Sequence, residues 1–541
     1  MNGVPVHGVV AATLRRLGIG TVFGVLGDAN MLVVADFVTY GGRYVGAVDE
    51  RGAVHMADVH ARMSGAVGVA TVTHGPGITN ALTSVVEAAR ARTPLVIVTG
   101  DTPGVPGHLQ RIDIGAFAAP AGARVRRILA ADQTAATVAA AVQEAASIRG
   151  PVLLDMPADL HREVVATGAP VRGPLVPQAV RPDEDALDAA LGVIAAARRP
   201  IVLAGRGADR SGARAALLEL AEVLGAPVAT TLLGRDLFRG DPFDLGVLGT
   251  VAHDLTTEIA ATADCVIAFG AGLNRHTTAH GSLSEGRAVI QVDVDAARLG
   301  ADTPVTAGVV GDATAVARAM TALLREAGHR PARFRSAELR ERLAAFDPRA
   351  GYTDVSTGET IDVRTAMIAL DAAVPADRTL VTDVGRYVLA PWRYVHVEDP
   401  LRFTHTGSFG SIGLGVAGAV GAAVADLTRT TLGIVGDGGG MMGLVEFGTA
   451  VRNGAPLVLA VVNDGCYGAE WDRLADYGVD PKLSLIPWPD FTDVASALGG
   501  HGLTVRKEAD FAAVSDHIRQ GRLPLLVDIR IDPAVRIGDL R

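Results

Sequence analysis

Short, wholly apolar runs bounded by glycine, proline or a carboxylate recur along this chain, and longer stretches with apolar residues at helical spacing lie between them. Pro151 to Leu154, Pro200 to Ala204, Cys265 to Phe269, Leu432 to Val435 and Leu457 to Val462 are such runs. Apolar segments of this length without alternation predict strands covered on both faces, as in parallel sheets flanked by helices. Val6 to Leu17, Arg51 to Met63, Asp183 to Ala197 and Met442 to Asn453 have helical spacing. The regular alternation predicts an α/β chain of three doubly wound parallel-sheet domains, over residues 1–165, 183–325 and 356–541. Ala166 to Pro182, rich in Pro and Gly and without periodicity, reads as a linker. Arg325 to Phe346 reads as a charged helical connector. The first and third segments both close on a Pro-led strand (Pro151 to Asp155, Pro524 to Asp528), which hints at related architecture.

Composition narrows the class of protein. A chain of 541 residues is too long for one core, and 49% hydrophobic residues with 64 glycines and 4% aromatics suit closely packed layers. The net charge of −10 offers no basic surface for nucleic acid. Gly407 to Ala425 is apolar enough to resemble a membrane span, but its Gly/Ala content predicts a buried helix. The N-terminus has no signal pattern, and two cysteines, Cys265 and Cys466, form no disulfide framework. A cytoplasmic chain with neither membrane nor nucleic-acid partner is expected.

Candidate chemistry sits at strand ends. Asp437, in Gly436-Asp437-Gly438-Gly439-Gly440, and Asp464, in Asn463-Asp464-Gly465, each follow a predicted buried strand. Open α/β sheets bind ligands at such C-terminal ends. Mg²⁺ takes oxygen ligands and usually binds through one or two carboxylates plus substrate phosphates, so this pair suits a magnesium-bridged diphosphate, with the glycines expected to turn the backbone sharply beside the anion. Glu50 ends another strand and opens a helix, where the dipole favours its anion; it is either a chemical carboxylate or a first-turn residue.

The string GDGGGMMGLVEFGTAVRNGAPLVLAVVNDGCYG resembles the thiamine diphosphate motif. VDERGAVHMADVHARMSG, followed by THGPGITNALTSVVEAARARTPLVIVTGD, is similar to the pyrimidine-binding domain of the acetolactate synthase, pyruvate decarboxylase and benzaldehyde lyase superfamily. The resemblance spans nearly the whole chain in the order pyrimidine-binding, central and diphosphate-binding domain. It implies Asp437, Asp464 and the carbonyl of Cys466 as Mg²⁺ ligands, although the family more often has Asn where Asp464 stands. It places Glu50 on N1′ of the aminopyrimidine, Gly410 on the 4′-amino group, and Ile412 as the apolar wedge that folds the cofactor. It places Val384, Gly385, Gly436, Gly438, Gly439, Tyr467 and Gly468 around the cofactor. Arg386 stands either as added charge there or as a solvated loop residue. Because one pocket in this family draws Glu50 and the metal site from different subunits, a homodimer or homotetramer is implied.

The resemblance points in two directions for the substrate. Asp28 and Glu470 fall where pyruvate decarboxylases carry acids, whereas Gln110 falls where carboligases carry a Gln. The paired His of the decarboxylases is missing, only His108 being near, and His74 is assigned a substrate contact. The central segment resembles that of acetolactate synthases, but Gly270 to Gly281 departs from their Arg- and Asp-rich turn, which puts FAD in doubt. The implied activity is a thiamine diphosphate- and Mg²⁺-dependent carbon–carbon bond reaction on a 2-oxo acid through an enamine. Ligation to an aldehyde or ketone acceptor is the first expectation. Simple decarboxylation with aldehyde release is the second, and an FAD-containing oxidase the third.

Overall fold

The computed structural model describes residues 3–165 and 178–536. Three six-stranded parallel sheets form its framework. The first contains Thr21–Gly24, Arg43–Gly46, Gly68–Thr71, Leu95–Thr99, Arg124–Arg127 and Pro151–Asp155. Numbered in chain order, its strands lie 2-1-3-4-6-5. The third contains Arg378–Thr382, Phe403–His405, Thr430–Gly436, Leu457–Asn463, His501–Val505 and Leu525–Arg530, in the same order. The hint from the two Pro-led strands is therefore a real correspondence of topology. The central sheet (Pro200–Ala204, Val228–Thr230, Asp244–Val247, Cys265–Phe269, Ala288–Asp293, Ala307–Val310) runs 3-2-1-4-5-6.

The apolar runs become strands because helices cover both faces, and every residue of Leu457–Asn463 is buried. Ligand crevices in such sheets open where the strand order reverses. That point lies between Thr21–Gly24 and Gly68–Thr71 in the first sheet, and between Arg378–Thr382 and Thr430–Gly436 in the third.

Four expectations need revision. The glycine segment after Gly436 is no loop: the helix begins at Asp437 and runs to Gly443, followed by a 3-10 turn at Leu444–Glu446 and a second short helix, Phe447–Arg452. The predicted helix from Met442 to Asn453 thus starts earlier and is broken. The connector is not one helix, because the helix Ala313–Glu326 ends where Arg325 to Phe346 was expected to begin, and only Ala337–Ala344 is helical beyond it. Gly407 to Ala425 is helical only over Gly415–Ala425, and no helix among the described residues is long and apolar enough to cross a membrane. Most of the proposed linker, residues 166–177, lies outside the described residues.

The first and third sheets meet through two helices, Glu50–Ser64 and Gly415–Ala425, whose apolar residues belong to one continuous core. The second helix is made almost wholly of Gly, Ala and Val, and Gly415 to Val424 are all buried. Small residues let the backbones approach closely: a Cβ at Gly421 would lie 2.2 Å from the Met56 carbonyl oxygen, and one at Gly418 3.1 Å from Nε2 of His55. A buried ionic network crosses the same joint. Arg62 donates to Asp58 at 2.8 Å, to Glu87 at 3.2 Å and to the His405 carbonyl at 2.8 Å, while Glu87 accepts from the Phe409 backbone at 2.6 Å. Burial alone would raise the Asp58 pKa, but Arg62 and His55 hold it well below the usual carboxylate range. Removing one partner of such a network leaves an uncompensated buried charge.

The central domain is pinned by Arg235, whose buried guanidinium donates to the carbonyls of Pro391 and Val395 and lies 5.1 Å from the centre of the Phe403 ring.

Gly421→Ala should lower stability by about 1–3 kcal/mol through overpacking at the helix crossing, measured as the midpoint of denaturant unfolding. An unchanged midpoint would refute so close an approach.

Candidate active site

Two neighbouring strands of the third sheet deliver the carboxylates. Asp437 follows Thr430–Gly436 and is 3% exposed. Its Oδ1 accepts from the Gly438 backbone at 2.8 Å, and its Oδ2 from the Gly465 backbone at 2.7 Å and the Trp488 indole at 3.0 Å. Burial first, and then the charge of Asp464, push the Asp437 carboxyl up to about 7. Asp464 accepts through Oδ2 from Arg386 at 2.6 Å, and through Oδ1 from the Cys466 backbone at 3.2 Å and its thiol at 3.3 Å. Burial raises the thiol pKa as well, so Cys466 offers no thiolate.

The donor set bears on a metal. Among the described residues no three His, Cys, Asp or Glu side chains converge as a metal site. What converges is two carboxylates beside the Cys466 carbonyl, which accepts no hydrogen bond among the described residues. All are hard oxygens, fewer than an octahedral cation requires, so the set fits Mg²⁺ whose shell is completed by phosphate oxygens or water. A dication would also relieve the charge that raises the Asp437 pKa.

The glycines after Asp437 serve contact. A Cβ at Gly438 would lie 2.6 Å from the Tyr467 ring, and one at Gly439 2.8 Å from Asp383 Oδ2. Asp383, fully buried at the end of Arg378–Thr382, organises the facing turn: its carboxylate accepts from Gly413 N and Val384 N, both at 2.9 Å, and from the Thr406 hydroxyl at 3.0 Å. Burial raises its pKa. Gly410 and Gly413 bracket that turn with φ of 84° and 88°, in the left-handed region that glycine tolerates. Ile412 is held between them, half-buried, against Gly439. Val384 packs on Gly407, Gly385 lies beside the Tyr387 ring, and Tyr467 meets Trp488 edge to face at 6.3 Å.

A second group forms at the switch point of the first sheet. The turn Thr73–Gly77 is its hub. A Cβ at Gly77 would lie 3.6 Å from Glu50 Oε1, and Glu50 Oε2 accepts from Asn80 at 3.1 Å. Gly75 sits against the Gln110 backbone, and Nε2 of the buried His74 donates to Oε1 of Gln110 at 2.7 Å. His108 lies 5.8 Å from the His74 ring. The Asp28 loop joins the group through Thr73, against which Gly27 packs, while Asp28 itself is exposed. Glu50, His74, Gln110 and Asp28 are thus brought together. Glu470 is exposed on the first turn of the helix Gly468–Asp476, which follows the Asp464 loop.

Family models for the thiamine pyrophosphate enzymes match three parts of the chain: the N-terminal TPP binding domain at residues 6–113, the central domain at 187–320 and the C-terminal TPP binding domain at 383–529. An acetolactate synthase from Mycobacterium bovis is 30% identical, over 96% of this chain and 87% of its own. The chain belongs to the thiamine pyrophosphate enzyme family. A sulfoacetaldehyde acetyltransferase from Alcaligenes xylosoxydans xylosoxydans is 29% identical over 90% of this chain and 86% of its own. A solved structure from Mycobacterium smegmatis, of a protein described as thiamin diphosphate-dependent, superposes with a TM-score of 0.80 at 27% identity, covering 98% of this chain and all of that one.

Four further residues of this thiamine pyrophosphate enzyme shape the site without having been singled out as site residues from the sequence. Asp383 builds the Ile412 turn, Trp488 fixes Asp437, and Asn80 holds Glu50. Glu446, fully buried, accepts from the Val48 and Asp49 backbones at 3.0 Å each and so sets the approach to Glu50. Asn80 and Glu446 stood inside the two motif strings, and a buried-strand terminus ending in Asp was the available signal for Asp383. Glu446 and Trp488 act across long chain separations that no local pattern carries.

Asp383→Ala should cost about 2–4 kcal/mol by leaving the buried Gly413 and Thr406 donors and the half-buried Val384 N–H unpaired, read from denaturant unfolding of the cofactor-free chain. Wild-type stability would remove Asp383 as organiser of the turn.

Proposed function

We propose that this protein is a thiamine diphosphate- and Mg²⁺-dependent carboligase that opens a 2-oxo acid next to its carbonyl and joins the acyl unit to an aldehyde or ketone. The reading takes residues 1–165, 183–325 and 356–541 as its three functional units. Relatives named acetolactate synthase and sulfoacetaldehyde acetyltransferase support the transfer of an acyl unit.

The observation that carries the choice of reaction is the half-buried His74–Gln110 bond. Because Oε1 of Gln110 is taken by His74, the amide NH₂ is left to donate, and a fixed neutral donor orients a carbonyl oxygen without delivering a proton. A decarboxylase that releases aldehyde needs a proton delivered to the acyl carbon. Its candidate acids, Asp28 and Glu470, are exposed, and neither makes a side-chain hydrogen bond among the described residues.

When bound, thiamine diphosphate supplies the electron sink for the bond that breaks. The chain's own residues position and exchange protons around it. Asp437, Asp464 and the Cys466 carbonyl would hold the metal, with Tyr467 and Gly468 continuing that loop. Ile412 would support the cofactor from below, and Glu50, steadied by Asn80, would share a proton with the aminopyrimidine.

A homodimer or larger assembly completes the proposal. Among the described residues no hydrogen bond or ion pair joins Glu50, His74 or Gln110 to Asp437 or Asp464 within one chain. Exposed apolar side chains fringe both: Leu26, Val48 and Leu109 on the first sheet's side, Leu109 being 92% exposed, and Phe409, Met442 and Val445 on the third's. A second copy would cover them and bring the two groups to one pocket.

Incubating the protein with thiamine diphosphate, Mg²⁺ and a panel of 2-oxo acids, with and without aldehyde acceptors, should yield coupled hydroxyketones by mass spectrometry. CO₂ with free aldehyde alone would transfer the assignment to a decarboxylase. Glu50→Gln should keep the cofactor bound but slow exchange of its C2 proton in deuterated buffer by about 10²-fold or more, and unchanged exchange would remove the assigned role. Asp437→Ala should abolish Mg²⁺-dependent cofactor binding, which calorimetry would show directly.

A further inference from the structure

The carboxylate pair presents a charge problem. A diphosphate approaching Asp437 and Asp464 brings further negative charge, which one Mg²⁺ does not balance, and both carboxylates are largely out of water. The cation that answers is Arg386. It stands on the turn after Arg378–Thr382, and its guanidinium donates to Asp464 Oδ2 at 2.6 Å with both side chains under a tenth exposed. Its remaining donors reach the Pro533 carbonyl at 2.7 Å and Asp472 at 3.3 Å, so the fork is held from three sides. Gly468 leaves room for the pair: a Cβ there would sit 2.7 Å from both Arg386 Nε and Asp464 Oδ2.

This geometry divides the work of the Asp464 carboxylate. Oδ2 belongs to Arg386, and Oδ1, bonded only within its own loop to Cys466, is the oxygen available to a cation. Resting on the cofactor reading above, we propose that Arg386 is a positioning residue that neutralises Asp464 and presents its Oδ1 to the metal, which allows a carboxylate where a neutral amide would otherwise be required beside the diphosphate. Arg386 then acts through Asp464 rather than on the diphosphate itself, and its value to binding depends on the carboxylate being there.

That dependence is the test. Binding of thiamine diphosphate at fixed Mg²⁺, and of Mg²⁺ at fixed thiamine diphosphate, is measured by calorimetry on the full chain and on Arg386→Met, Asp464→Asn and the double substitution. Arg386→Met should weaken both affinities about tenfold or more when Asp464 is present, and change them by less than about threefold when Asp464 is Asn. Equal losses in both backgrounds would show a direct diphosphate contact or a purely structural role and overturn the proposal. So would an Arg386→Met protein that binds normally. If Arg386→Met does not fold, Arg386→Lys, which keeps charge without the fork, gives the same comparison: a loss with Asp464 that vanishes with Asn supports the proposal, and an equal loss refutes it. Failure of the unmodified chain to bind thiamine diphosphate would instead remove the cofactor reading, and the proposal with it.

Discussion

The close crossing of the helices Glu50–Ser64 and Gly415–Ala425 holds the rest of the structure in place. One helix begins at Glu50, and the other follows directly on the turn that carries Gly410 and Ile412, so the crossing sets the distance between Glu50 and that turn within one chain. Two backbones come this near only because glycine faces Met56 and His55. The Arg62–Asp58–Glu87 network makes the crossing specific. Its last link, Glu87 to the Phe409 backbone, reaches the residue before Gly410. Packing and ionic pairing in the core are therefore also the scaffold of the site.

Charge governs the other half. The third sheet places two carboxylates at adjoining strand ends because parallel strands finish on the same side. Buried together they repel, and burial first, with the charge of Asp464 second, raises the Asp437 pKa. Arg386, ion-paired to Asp464 Oδ2, offsets that repulsion from one side. The surrounding loop is shaped by this need: Gly468 clears space for the ion pair, and Trp488 and the Gly465 backbone saturate Oδ2 of Asp437.

Much of this was legible in the linear pattern. All-apolar runs between helical stretches marked the strands of three sheets, and Asp437 and Asp464 declared themselves as carboxylates at strand ends; Glu50 was read as a third, but its strand closes at Gly46 and Glu50 opens the helix Glu50–Ser64. The glycine segment after Gly436 was misread because glycine signals both backbone freedom and close approach. Its neighbours in space, Tyr467 and Asp383, show that close approach is its use, within an ordinary helical backbone. The charged connector was misread for a different reason: charge persists after Glu326, but Gly328, with φ of 64°, and Pro331 break the helix before Ala337–Ala344 begins.

The sequence by itself determined the layered α/β architecture, the positions of the strand-end carboxylates and the membership of a cofactor-binding family, since each depends on local periodicity or on a contiguous motif. Tertiary structure alone decided that Gln110 is held by His74, that Glu446 braces the approach to Glu50, and that Arg386 is an ion-paired residue rather than a solvated one. Those relations join residues from tens to hundreds of positions apart, and their strength comes from exclusion of water, which no stretch of sequence has until the sheets and helices close around it.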